Sequence, residues 1–304
     1  MFDLVTVGHL SIDYVISPRI PRSRETLGGP PTFCSLAAKK LDARVSIVSK
    51  VGADFPPEYV EWLAASAVDL SGMSVIESAS TTRFVLGYEE GRRMLRLKSR
   101  APSITMDDIP DSLRSRAIHA APIADELPDD TIGKMRGSTD VLSLDPQGLL
   151  RIFDEQGNAS LGKRGNRELL RKIDIFKSAT KELESFVGTA NLTSALEEIH
   201  EQGVQIVIVT KGSEGSILSH KGKIYGIPVC EPVAFVDPTG AGDAFIGAFL
   251  AEYIQGREVT WCACVGSASA SFVVEDLGPS RFGAKREVHE RASKAFESVA
   301  ALRL

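Results

Sequence analysis

Cysteine is scarce in this chain. The four present among 304 residues, Cys34, Cys230, Cys262 and Cys264, are scattered and form no CxxC pair. Neither a disulfide framework nor a zinc site is expected of them, and they read as small buried residues. Basic excess is missing too: 35 Lys and Arg stand against 40 Asp and Glu, a formal net charge of -5. No long basic run occurs, so neither nucleic acid nor a membrane surface is an expected partner. No apolar stretch approaches the roughly 18 residues that a bilayer span needs. The opening MFDLVTVGHLSID lacks a basic segment followed by an apolar run, the mark of a signal peptide, and the expectation is a cytoplasmic protein. Repeats, low-complexity tracts and flexible linkers are absent as well, which predicts one domain over residues 1–304.

What is present is an ordinary globular composition, 43% hydrophobic and 25% charged, enough to bury a full core. Short apolar strands (LVTVG, VSIVSKVG, AIHAAP, DVLSLDP, IDIFK, QIVIVTKG) are interspersed with helical patterns around Thr32 to Leu41 and Glu58 to Ala67. Such alternation predicts an α/β fold built on a mainly parallel sheet with helices on both faces. Two segments break the pattern. TTRFVLGYEEGRRMLRLKSR reads as two alternating strands around a Glu90-Gly91 turn, and DYVISPRI also reads as extended; the two are expected to pair as a small separate sheet over the main one. A further hairpin is predicted around Lys221-Gly222, and the tail AKREVHERASKAFESVAALRL reads as a final amphipathic helix.

The stretch VDPTGAGDAFIGAFLAEY (Val236 to Tyr253) is the most informative. Apolar residues recur at helical spacing from Ala244, so a buried helix starts near Gly242, directly behind Gly240 and Ala241. A helix start offers unpaired N–H groups and the positive end of the dipole, and glycines let an anion such as phosphate reach the backbone. Asp243 would be repelled by that anion. Its task is then to accept a proton from a nucleophilic hydroxyl while the N–H groups hold the transferred phosphoryl group. The plainer reading, a tight turn with Asp243 complementing the dipole, stays open from these residues alone.

DPTGAGDAF (Asp237 to Phe245) resembles the C-terminal signature of the ribokinase-like, or pfkB, family of carbohydrate kinases. The likeness runs along nearly the whole chain in order: VGHLSID, LGGPPT (Leu27 to Thr32), SKVGADFP and VTKGSEG (Val209 to Gly215). It implies an open, mainly parallel sheet flanked by helices, with a small β lid formed by segments near 13–28 and 80–100. It implies further that Asp243 is the catalytic base and that Gly240, Ala241 and Gly242 form the anion hole. Asp13, Gly28, Gly29 and Thr32 fall on the substrate side; Asp13 and the glycines would otherwise read as turn formers. Thr210, Lys211, Gly212 and Gly215, with Ser267, fall on the nucleotide side. Lys211 could equally be a solvated lysine.

The match has gaps. The asparagine expected after the paired glycines is Phe33, so one contact to a pentose is lost. Of the family's Asn-x-x-Glu element only Glu182 survives, with Ala179 in the asparagine position. The Asp-x-Asn-x-Arg run becomes DPQGLLR, with Asp145 in place, Gln147 for asparagine and Arg151 displaced. These forms look more like an archaeal branch that includes myo-inositol kinases. The resemblance thus implies an ATP- and Mg2+-dependent kinase of a small polyol, foremost myo-inositol, with a ribose- or fructose-type sugar or a nucleoside as the alternative. Glu182 would serve magnesium through water, Asp237 and Thr239 a monovalent cation such as K+, and a homodimer would form through the lid.

Three rival readings fare worse. Gly240-x-Gly242 could open a dinucleotide fingerprint, but Phe245 occupies the third glycine position and no acidic residue follows at the required distance. GNASLGKR (Gly157 to Arg164) has Walker-like spacing, yet Arg164 replaces the magnesium-binding hydroxyl and no buried strand precedes it; it reads as a polar surface loop. A non-catalytic ligand sensor on the same fold would need no Asp243.

Overall fold

The computed structural model describes residues 1–16, 23–89, 92–162 and 166–302. The Glu90-Gly91 turn, Ser17 to Ile20 of DYVISPRI, and Lys163 and Arg164 lie outside the described residues. Among those described, ten strands form one sheet. Seven are parallel, in the spatial order Ile206–Thr210, Ile175–Ala179, Thr139–Leu144, Ser115–Ala120, Phe2–Val7, Val45–Gly52 and Asp69–Ile76. Three antiparallel strands, Ser216–His220, Lys223–Ile227 and Ala300–Leu302, extend the Ile206–Thr210 edge.

The period-2 alternation of strand side chains divides the apolar residues between two cores. Leu4, Ile206 and Ile208 enter one; Val5, Val7, Val207 and Val209 enter the other. Helices Pro30–Lys40, Ala241–Tyr253, Val259–Val273 and Lys285–Phe296 cover the first face. Asp129–Met135, Thr180–Val187 and Leu192–Glu201 cover the second. Prolines at the first two positions of Pro30–Lys40 suit a helix start, where a missing N–H costs nothing.

A second sheet orders Arg24–Gly28, Ser11–Ile16, Thr82–Glu89 and Arg92–Ser99. Phe84, Leu95 and Leu97 of this sheet pack on Ile123, Ala124 and Phe153. The contact sets the second sheet beside the carboxyl ends of the parallel strands.

Two expectations are corrected. GNASLGKR is not all loop: Ala159–Leu161 pairs with Arg151–Phe153 as a short ribbon, braced by the Leu97 N–H donating to Gly157 O at 2.8 Å. Three residues are too few for a periodic signal. The tail is not one helix either. The helix ends at Phe296, and Ala300–Leu302 adds an edge strand beside Lys223–Ile227, with Leu302 against the second core.

Candidate active site

A cleft opens at the carboxyl ends of the parallel strands, under the second sheet, where open α/β sheets bind ligands. The helix Ala241–Tyr253 begins at its floor. Gly240, its N-cap, has φ +77°, in the left-handed region that favours glycine. The Ala241 N–H donates to Pro238 O at 3.3 Å and the Ala244 N–H to Gly240 O at 2.8 Å. Among the described residues, no backbone acceptor of the turn takes the Gly242 N–H. Gly240, Gly242 and Asp243 line the cleft. Ala241 does not, and its N–H is turned toward Pro238 O. The approach is shaped by buried Asp237, whose Oδ1 accepts from the Thr239 N–H at 3.0 Å and from Thr239 Oγ1 at 2.7 Å.

On the opposite wall lies Asp13, held by Ser11 Oγ, which donates to its Oδ1 at 2.8 Å. Gly28 makes room for it: a Cβ there would fall 2.1 Å from Asp13 Oδ2. Gly29 borders the cleft. Thr32 does not. Its hydroxyl donates to Gly28 O at 2.8 Å and staples the glycine turn. Phe84, Leu86, Leu95 and Ile123 give this wall an apolar side. Arg151, displaced in sequence, is brought back in space. It lines the cleft while donating to Gln147 Oε1 at 2.5 Å and Ile123 O at 2.8 Å.

A buried cluster that no sequence pattern marks joins the two sheets. The Glu126 carboxylate accepts from the N–H groups of His9 (3.0 Å), Ile123 (3.0 Å) and Ala124 (2.7 Å). The His9 ring spans Pro102 O (Nε2, 3.1 Å) and Thr82 Oγ1 (Nδ1, 2.8 Å). Because Pro102 O can only accept, the proton is assigned to Nε2, and the Thr82 hydroxyl donates to Nδ1. Burial pushes the imidazole pKa down, in keeping with the neutral form.

Sequence reasoning also missed Lys177. Its Nζ donates to Asp145 Oδ2 at 2.5 Å, both residues being buried cleft-lining groups. Burial opposes the ammonium, but Asp145, Asp243 and Glu182 outweigh it and hold the pKa above the usual lysine value. The Glu182 carboxyl is pushed up by burial and by Asp145, while its Oε2 accepts the Ala179 N–H at 2.7 Å. Behind them, burial pushes His119 down to about 4. Among the described residues, no group of three His, Cys, Asp or Glu is placed to hold a metal. Asp145 and Glu182 still fit magnesium of the kind carried mainly by phosphate oxygens and water, which asks one or two carboxylates of the protein.

On the nucleotide side, Thr210 lines the cleft and its hydroxyl donates to Ser178 O at 3.4 Å. Lys211 pairs with Glu214 at 2.9 Å in solvent. Gly212 and Gly215, with φ +60° and +83°, carry the turn closed by the Lys211 N–H to Gly215 O at 2.8 Å. Ser267 is not at the cleft. It donates to Pro228 O at 2.9 Å and accepts from the Cys230 N–H at 3.1 Å, clamping that loop to the helix.

Comparison with known proteins agrees with this architecture. The profile of the pfkB family carbohydrate kinases matches residues 144–284. A nucleoside kinase of Methanothermobacter thermautotrophicus is 30% identical over 295 residues, covering 91% of this chain and 90% of that protein. An inositol 3-kinase of Arabidopsis thaliana is 29% identical over 262 residues, covering 85% and 70%. Among solved structures, a pyrophosphate-dependent kinase in the ribokinase family, complexed with a pyrophosphate analog and myo-inositol, superposes with a TM-score of 0.81 at 22% identity. That match covers 94% of this chain and 99% of the other.

Proposed function

This chain belongs to the pfkB family of carbohydrate kinases, and from that premise we propose that it moves the γ-phosphoryl group of ATP to a hydroxyl of a small polyol, with Asp243 as the base. The observation that carries the reading is the placement of Asp243 in the first turn of a helix whose N-terminus opens onto the same cleft as Asp13. Asp13 holds the acceptor and Asp243 takes its proton. The acceptor oxygen bonds to the γ-phosphorus as the bond to the bridging oxygen breaks, and ADP leaves with that electron pair. The Gly242 N–H, with the helix dipole behind it, faces the charge that develops. One such donor is worth about 3 kcal/mol in the transition state, and the base a factor of roughly a hundred to ten thousand. Magnesium, when bound, neutralises charge on the phosphate oxygens, and Asp145 and Glu182 are the residues that would hold it through water. Asp237 and Thr239 flank the position a monovalent cation such as K+ would take.

For the acceptor, the reading is a cyclitol, foremost myo-inositol. The cleft is about 180 Å³, below the roughly 300–1,000 Å³ of sites for drug-sized ligands, and it is lined with polar groups that suit a compact ring. The inositol 3-kinase relative supports this. A nucleoside is the second reading, favoured by the apolar wall of Phe84, Leu86, Leu95 and Ile123 and by the nucleoside kinase relative. Exposed Tyr14, Ile16 and Met94 on the second sheet support a homodimer formed through it. The test is turnover with ATP and magnesium across myo-inositol, ribose, fructose phosphates, adenosine and cytidine, with pyrophosphate as a second donor. Turnover with myo-inositol and not with nucleosides is expected; cytidine or adenosine turnover alone selects the second reading, and none at all defeats the kinase.

A further inference from the structure

We propose that Lys177 is a catalytic residue whose ammonium donates to the non-bridging oxygens of the transferred phosphoryl group, with Asp145 as its positioning residue. The proposal deepens the kinase reading and rests on it. Three observations carry it.

The first is position. Lys177 sits near the end of the strand Ile175–Ala179, and its Nζ lies against the start of the helix Ala241–Tyr253: a Cβ built on Gly242 would fall 2.8 Å from it. An anion seated at that helix start is therefore within the ammonium's reach.

The second is donor capacity. An ammonium has three N–H donors, and among the described residues Asp145 is its hydrogen-bond partner. Two donors remain for oxygens that enter the cleft.

The third is charge. Among the described residues, Asp13, Asp145, Glu182 and Asp243 line the cleft with Lys177 and Arg151 as cations, and of these two it is Lys177 whose ammonium lies against Gly242 at the helix start. Without Lys177 the terminal phosphate would approach these carboxylates without the ammonium that lies beside the helix start. A buried ion pair is also a poor device for stability alone, since apolar residues of similar volume often do as well or better. Here the pair stands in a cleft wall. Asp145 sets the aim of the ammonium, because it lies on the neighbouring strand end, where the Phe176 to Leu144 register brings the two residues level.

In the transfer, the acceptor oxygen bonds to phosphorus, the bridging oxygen leaves with its electron pair on ADP, and the acceptor proton passes to Asp243. Lys177 keeps all its protons throughout and strengthens its hydrogen bonds as charge spreads over the non-bridging oxygens.

The experiment compares the full-length wild type with K177A and with K177A/D145N, which removes both charges and serves if the single variant fails to fold. Turnover is measured with the acceptor found in the screen, with and without methylammonium. The expected result is a kcat lower by about a hundredfold or more, a KM for the acceptor within about threefold, and at least tenfold recovery on adding methylammonium. A purely structural lysine would give no such recovery. K177A turnover within threefold of wild type overturns the proposal, as does a loss that methylammonium leaves unchanged in both variants. A wild type inactive with every acceptor and donor defeats the kinase reading, and the proposal with it.

Discussion

The ring of Phe33 lies directly against Gly240: a methyl group added at Gly240 would meet ring carbons at 2.3 Å. The residue that displaces the expected asparagine thus forms the underside of the turn from which the helix Ala241–Tyr253 springs. G240A faces both this collision and a φ of +77°, for a cost of about 1–3 kcal/mol. It should lower the denaturant midpoint and cut turnover together. Adding F33A should recover part of the turnover, because it removes the collision and leaves only the strain. Equal turnover in G240A and wild type would refute the link.

D243N keeps the shape of Asp243 and removes its ability to take a proton. Nucleotide binding, measured by calorimetry, should stay near wild type, while kcat falls by roughly a hundredfold to ten-thousandfold. Wild-type turnover in this variant would remove Asp243 from the role of base.

Replacing Asp13 acts on the acceptor. Its carboxylate is buried beside Gly28 and positioned by Ser11, and a hydrogen bond from a substrate hydroxyl to a charged group is worth about 1.5–3 kcal/mol. D13A should raise the acceptor KM by roughly tenfold to a hundredfold and leave the KM for ATP little changed. An unchanged acceptor KM would take Asp13 out of the site.

Buried His119 is expected to make the fold less stable in acid. Burial lowers its pKa to about 4, with Asp145 opposing and Lys177 adding to the effect, while an unfolded chain takes up the proton near 6.5. Above about pH 6.5 both states hold neutral imidazole and nothing is lost. As the pH falls from 6.5 toward 4 only the unfolded chain gains a proton, so stability drops, by about 3 kcal/mol in all. Denaturant melts at pH 7.0, 5.5 and 4.5 should show H119Q losing less stability than wild type over this span, the carboxylates being common to both. Parallel curves would contradict the assignment.

Much of this was legible in the residues. Apolar strands broken by helical patterns required a parallel sheet covered on both faces, since a strand apolar on both sides must be buried on both. The glycines before Asp243 marked a helix start that can open to an anion, because a backbone amide can serve a phosphate only where no side chain intervenes, though a tight turn alone would fit the same residues. Those are local statements, and local sequence suffices for them. The short strands Ala159–Leu161 and Ala300–Leu302 were not legible, since three residues cannot display a period and their pairing depends on a partner elsewhere.

Only the tertiary structure decided which distant side chains share the cleft. Lys177 and Asp145 are 32 positions apart and meet because parallel neighbours end level. Arg151, the first residue of the short ribbon, is held at the wall by Ile123 O and Gln147, and Glu126 gathers amides that follow two neighbouring strands, Phe2–Val7 and Ser115–Ala120. Contacts of this kind are set by strand order and register. A sequence encodes those through the packing of the whole core, and no single stretch of it carries them.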